Sequence, residues 1–175
     1  MSLRICGGTY RSIRLESPSS RVRPTTDRVK EAIFSVLIHD LNDAMVLDLF
    51  AGSGSLGIEA ISRGAAQVTF IEQAKECTEV IERNLKVIDA REKGTIIKAD
   101  ARMYIKKCNT HFDLIFMDPP YHKGLATKLA PHVYSLLKVG GILVIEHSPR
   151  EEIPLKAWKM KRYGETSISY FTRSE

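Results

Sequence analysis

Long apolar runs, paired cysteines and metal-ligand spacings are all scarce in this chain of 175 residues. No apolar stretch approaches the ~18 residues that a membrane-spanning helix needs, so no such helix is expected. The three cysteines, Cys6, Cys77 and Cys108, are scattered and odd in number. They fit reduced thiols packed as small hydrophobes better than a disulfide framework. There is no CxxC or HExxH, and the five histidines show no ligand spacing, so no metal is expected. Arg4 and Gly7-Gly8 stand where a signal peptide would need an apolar run. Repeats, low-complexity tracts and domain-splitting linkers are also absent. What remains is ordinary for one soluble globular domain: 43% hydrophobic and 27% charged residues.

Charge is unevenly placed. The formal net charge is +5, and residues 1–30 carry all of it. Arg4, Arg11, Arg14, Arg21, Arg23, Arg28 and Lys30 lie there against only Glu16 and Asp27, and the rest of the chain is balanced. Arginine suits bidentate phosphate contacts and base stacking. A solvated basic tail is the plainer account. Ile5, Ile13 and Leu15 interrupt the charges, however, and a helix follows directly, which favours an arm that faces nucleic acid.

Two short strands, over 3–7 and 10–16, are expected around Gly7-Gly8, then a loop over 17–24. Thr25 or Thr26 can cap a helix running to about His39, with Val29, Ile33, Val36 and Leu37 on its buried face. Beyond it, strands are expected near 45–50, 67–72, 95–98, 112–117 and 142–146. Helices are expected near 55–63, 75–88, 101–107 and 125–137. Apolar strands alternating with amphipathic helices imply a doubly wound, Rossmann-like α/β sheet, mostly parallel and covered on both faces. Residues 158–163 and 166–172, around Gly164-Glu165, read as an antiparallel C-terminal hairpin.

The first of these strands runs into Asp48-Leu49-Phe50-Ala51-Gly52-Ser53-Gly54-Ser55-Leu56-Gly57, which opens a helix. Gly52, Gly54 and Gly57 match GxGxxG, a turn used by both dinucleotide and S-adenosylmethionine sites. Glu72 ends the next strand twenty residues after Gly52, where a carboxylate meets ribose hydroxyls; an exposed strand-end acid is the bland alternative. Asp48 would repel a pyrophosphate but could accept from an ammonium. Asp100, ahead of Ala101, could accept from an adenine amino group or simply cap the next helix.

Asp118-Pro119-Pro120-Tyr121 closes the apolar run 112–117. Neither proline donates a backbone hydrogen bond, and each fixes φ. The segment offers a carboxylate, a free carbonyl and a flat ring, parts suited to gripping a planar, amine-bearing base. A strand-ending turn would use the same residues. The neighbouring His122 fits a lone surface histidine.

Together these residues resemble the class I S-adenosylmethionine-dependent methyltransferases, whose amino-group methylases carry an (Asn/Asp)-Pro-Pro-(Tyr/Phe) motif. More closely, the chain resembles the RsmD family of bacterial 16S rRNA guanine-N2 methyltransferases. The likeness rests on Arg4-Ile5-Cys6-Gly7-Gly8 with Arg11 and Leu15, on residues 23–31 (Arg-Pro-Thr-Thr-Asp-Arg-Val-Lys-Glu), and on Asp48–Gly54 with Gly57, Glu59 and Ala60. Ser12 departs from the family, which usually has glycine after that arginine.

The resemblance implies a seven-stranded sheet with an antiparallel C-terminal hairpin. It implies an arm over 1–40 packed on a methyltransferase domain over 41–175. S-adenosylmethionine would be held by Asp48, Phe50, Gly52, Gly54, Glu72, Asp100 and Ala101. Asp118, Pro119 and Tyr121 would act on a guanine of 16S rRNA in the small ribosomal subunit or its assembly intermediate. Arg4, Arg11, Arg14, Arg23 and Arg28 would contact RNA, although Arg28 could instead pair with Glu31. A cytoplasmic monomer that meets no membrane is the expected form. Competing readings are a DNA adenine-N6 or protein glutamine methylase, a nicotinamide-dependent oxidoreductase, and a non-catalytic RNA-binding module.

Overall fold

In the computed structural model, which describes residues 3–19, 25–120 and 124–175, alternating strands and helices wind about one seven-stranded sheet. The chain opens with two short strands, β1 (Leu3–Arg4) and β2 (Arg14–Leu15), paired antiparallel, and helix α1 (Asp27–Val36). Then follow β3 (Met45–Leu49), α2 (Ser55–Ser62), β4 (Gln67–Glu72), α3 (Lys75–Val87) and β5 (Gly94–Lys98). The second half holds α4 (Ala101–Lys107), β6 (Phe112–Met117), α5 (Leu125–Tyr134), β7 (Leu137–His147), β8 (Lys159–Tyr163) and β9 (Thr166–Thr172).

The sheet order is β5-β4-β3-β6-β7-β9-β8. Strands β3 to β7 are parallel, β9 runs antiparallel to β7, and β8 antiparallel to β9. The sheet grows outward from β3 to β5, then reverses and grows from β6 toward β8. Where the order reverses, the C-terminal ends of β3 and β6 part and leave a crevice, the usual ligand position of an open parallel sheet.

Alternation along the strands builds two cores. Leu114 and Phe116 of β6 face a layer with Phe34 of α1, Phe70 of β4 and Tyr170 of β9. Phe112, Ile115 and Met117 of the same strand face Ile105 of α4, Val133 of α5 and Phe171. Both faces of the inner strands are buried, which is why they are apolar almost throughout.

Several boundaries differ from the sequence expectation. The opening strands shrink from 3–7 and 10–16 to Leu3–Arg4 and Arg14–Leu15, because bends and turns occupy 7–12. Helix α1 stops at Val36 rather than near His39, where a turn closes by Asp40 N–H donating to Leu37 O. Helix α5 stops at Tyr134 because Leu137 joins the sheet opposite Phe112. Strand β7 therefore begins five residues before the expected 142, across a register shift between Phe112 and Leu114. No helix among the described residues is long and apolar enough to cross a membrane.

Candidate active site

A cavity of about 960 Å³ opens along the C-terminal edge of the sheet. Phe50, Gly52, Glu72, Asp100, Ala101, Asp118 and Pro119, all singled out from sequence, lie on its wall. The segments that follow β3, β4, β5 and β6 each contribute, because parallel strands deliver their C-terminal ends to the same edge.

The glycine turn is held by the neighbouring strand. Ala51 N–H donates to Ile71 O at 3.0 Å, and Gly52 N–H donates to Glu72 Oε2 at 2.9 Å. Glu72 Oε1 accepts from Ala74 N–H at 2.8 Å. Each carboxylate oxygen has further lone-pair capacity, so Glu72 can brace the turn and still accept from a ligand hydroxyl. Phe50 takes φ 73°, a left-handed conformation that is unusual for an aromatic residue and aims the chain into the turn. Gly54 caps α2 behind the cavity wall. The third glycine has a packing reason: a Cβ on Gly57 would lie 2.3 Å from the Phe70 ring.

Asp48 sits beneath the turn, buried and off the cavity wall. Its Oδ2 accepts Gly57 N–H at 3.0 Å. Burial pushes its carboxyl up to about 7, against the pull of that hydrogen bond. Asp100 caps α4, accepting Arg102 N–H at 2.8 Å, and meets the Arg102 guanidinium at 2.6 Å while remaining on the wall. The Arg102 hydrogen bond leads in holding its carboxyl down, at about 2.

Asp118 keeps part of its surface open to the cavity, while protein encloses its carboxyl. That burial, reinforced by Glu146 and Asp48, holds it well above the usual carboxylate range. Tyr121, the last member of the motif, and Arg23 of the arm lie outside the described residues. Sequence reading missed Glu146, a cavity-wall acid near the end of β7. Its signal was positional, since it ends an apolar strand as Glu72 does. Thr25 reaches it from the other side, Oγ1 donating to Glu146 Oε2 at 3.5 Å.

The basic arm docks on one buried carboxylate. Glu59 of α2 is closed to solvent and accepts from Cys6 N–H, Gly7 N–H and Arg63 Nε, each at 2.8 Å. Lys30, also fully buried, stands 3.7 Å from it and donates to Arg4 O. Gly8 takes φ 77°, and a Cβ there would lie 1.9 Å from the Ser62 carbonyl oxygen, so only glycine permits this approach. Arg4 pairs with Asp27 at 2.8 Å. Arg11, Arg14 and Arg28 are exposed and make no ion pair among the described residues, and Arg28 lines the cavity mouth. Ser12 takes φ 71°, a conformation that suits glycine.

Strand order, glycine turn and strand-end acids define the Rossmann-like methyltransferase fold. The family described as Conserved hypothetical protein 95 matches residues 3–172, and the chain belongs to it, the RsmD family that the sequence resembles. The Escherichia coli (strain K12) ribosomal RNA small subunit methyltransferase D is 40% identical over 124 residues, 70% of this chain. That match spans 62% of the relative's own length. YlbH of Bacillus subtilis (strain 168), named as a candidate rRNA methyltransferase, is 31% identical over 98% of this chain and 99% of its own. The solved structure of yhhF from Escherichia coli, described as a candidate methyltransferase, superposes with a TM-score of 0.89 at 30% identity over 99% of each chain.

Proposed function

We propose that this chain transfers a methyl group from S-adenosylmethionine to the exocyclic N2 of a guanine in 16S rRNA of the small ribosomal subunit. The observation that carries the reading is the position of Asp118-Pro119. They share one cavity, across the β3–β6 crevice, with the glycine turn, Glu72 and Asp100. Membership of the RsmD family supports the same assignment, as do the names of its ribosomal RNA methyltransferase relatives.

The cavity suits the donor in size and in the chemistry of its wall, since small-molecule sites commonly span ~300–1,000 Å³. Glu72 would accept from ribose hydroxyls, Asp100 and the Ala101 backbone would face the adenine, and Phe50 and Gly52 would line the turn. Asp48, one layer below, braces the turn by accepting Gly57 N–H. S-adenosylmethionine, when bound, supplies a methyl carbon already activated by its sulfonium, so the protein needs no covalent intermediate.

The protein's task is then to orient a weak nucleophile. The guanine amine shares its lone pair with the ring. Asp118 and the Pro119 carbonyl would each accept one N–H, favouring a pyramidal nitrogen and offsetting the positive charge that grows as the bond forms. Pro120 adds no backbone donor at the rim and fixes the φ that follows this carbonyl. Tyr121 would stack on the base once it has left its neighbours. Asp118 offsets that charge fully only when ionised, and its elevated position means that transfer falls as pH drops and the carboxyl protonates. Fixing the reacting groups in this way accounts for ~7–11 kcal/mol of barrier in well-aligned systems. Arg11, Arg14 and Arg28 would hold phosphates around the target, so binding weakens steeply with salt.

The test is methyl transfer from labelled donor to undermethylated small subunits, followed by digestion to nucleosides. N2-methylguanosine as the labelled product is the expected result. Label on another nucleoside or in protein would overturn the substrate assignment, and binding of NAD without S-adenosylmethionine would overturn the reaction.

A further inference from the structure

The C-terminal hairpin carries a second concentration of positive charge that the net balance of the chain conceals. Residues 154–165 hold Lys156, Lys159, Lys161 and Arg162 against one acid, Glu165. Strand β8 is the outer edge of the sheet. It runs antiparallel to β9, which runs antiparallel to β7, so β8 is parallel to the central strands. Its C-terminal end therefore arrives at the same edge as the ends of β3 and β6. Arg162, Tyr163 and Gly164 accordingly line the active-site cavity, as Arg28 does.

Local geometry fits an open contact surface. Lys159 and Lys161 pair in register with Tyr170 and Ile168, whose side chains enter the core layer that holds α1. The two lysines thus extend the sheet face on which α1, with Arg28 in its first turn, is packed. Lys161 is exposed and makes no ion pair among the described residues. Arg162 Nε donates to Gly164 O at 2.9 Å, which folds its guanidinium over the turn at the cavity mouth. Its only carboxylate neighbour among the described residues, Glu165, is exposed at 4.0 Å, a pairing of little energetic weight. Tyr163 packs its ring partly on the core beside them.

We infer that the β8–β9 hairpin is a second RNA-contact surface, with Lys161 and Arg162 binding phosphates of the strand that flanks the methylated base. The target nucleotide enters between two basic flanks, Arg28 of the arm on one side and Arg162 of the hairpin on the other. This inference rests on the RNA substrate proposed above.

The test compares K161Q/R162Q with wild type and with K106Q/K107Q, which removes two exposed lysines from the far end of α4, off the cavity wall. Binding to undermethylated small subunits is measured across a salt series, alongside donor affinity and steady-state transfer. Two lost phosphate contacts on a single strand should lower the salt slope by about 1.4 and weaken binding ~10–30-fold near 0.1 M salt. KM for the particle should rise accordingly, with kcat and donor affinity within about twofold of wild type. Unchanged affinity and slope, or an equal loss in K106Q/K107Q, would overturn the hairpin contact. If wild type binds particles in this salt-dependent way but transfers no methyl group, the enzymatic reading fails while the hairpin comparison still decides the surface. If wild type binds no particle, both fall.

Discussion

In the crevice, Glu72 spends both carboxylate oxygens on backbone N–H groups and still faces the cavity. Beneath the arm, Glu59 also accepts from two backbone N–H groups, but it is sealed from solvent with Lys30 and Arg63 beside it. The first acid stays available to a ligand. The second is consumed in joining two parts of the chain. The contrast explains why counting charges misleads: Lys30 belongs to the basic excess of the arm, yet it is buried and serves docking, and Arg4 is paired with Asp27. Of the arm's charge, Arg11, Arg14 and Arg28 stay exposed without an ion pair among the described residues. Because Glu59 lies on α2, the helix opened by the glycine turn, the arm is fastened to the element that shapes the crevice.

The strongest way to break this contrast is to remove the sealed acid. Glu59→Ala leaves Lys30 buried without its carboxylate and frees two backbone donors, so it should cost about 3–5 kcal/mol of stability. Urea unfolding would measure it, and a loss below ~1 kcal/mol would mean that the arm does not depend on this hub. Next in size is Asp118→Ala at the crevice. It should lower kcat by ~10²–10³-fold, as loss of a charge-stabilising group does elsewhere, with donor affinity retained in calorimetry. Equal loss of binding and transfer would assign Asp118 to the donor instead.

Asp48 sharpens the comparison through pH. Its carboxyl is raised from 3.8 to about 7 in the folded chain, so the folded state holds the proton more tightly than the unfolded one. The stability this contributes is full below about pH 4 and is lost as pH rises toward about 7. Relative to Asp48→Asn, wild type should therefore lose roughly 3–4 kcal/mol across that window. Parallel unfolding curves for the two proteins would contradict the account. The smallest effect belongs to the arm: Ser12→Gly relieves a left-handed φ of 71° and should stabilise by ~1 kcal/mol or less, seen as a raised Tm. A lowered Tm would show that the serine side chain matters more than its backbone.

The sheet and the crevice were legible from sequence because chain order decides them. Once 45–50 and 112–117 are buried parallel strands, Gly52 and Asp118 must sit at the same edge. Glu72 followed from its spacing to Gly52. Asp100 was left open between cap and ligand, and in the structure it caps α4 and lines the cavity. The role of Lys30 was hidden because its partner lies on another helix, and no local pattern joins the two. Glu146 and Arg162 were missed for a related reason. Their place at the cavity depends on β7 and β8 running parallel to β6, a property of the whole sheet rather than of either segment. The left-handed φ of Ser12 belongs to the folded arm, whereas sequence offered only a serine where the family usually has glycine.

The central claim is that the Asp118-Pro119 rim and the glycine turn serve one reaction from opposite sides of the β3–β6 crevice. A crystal structure with S-adenosylhomocysteine tests it most directly. The account predicts the ribose on Glu72, the adenine beside Asp100 and the sulfur turned toward Asp118. A ligand whose sulfur lies away from that rim, or a rim directed out of the cavity, would contradict it.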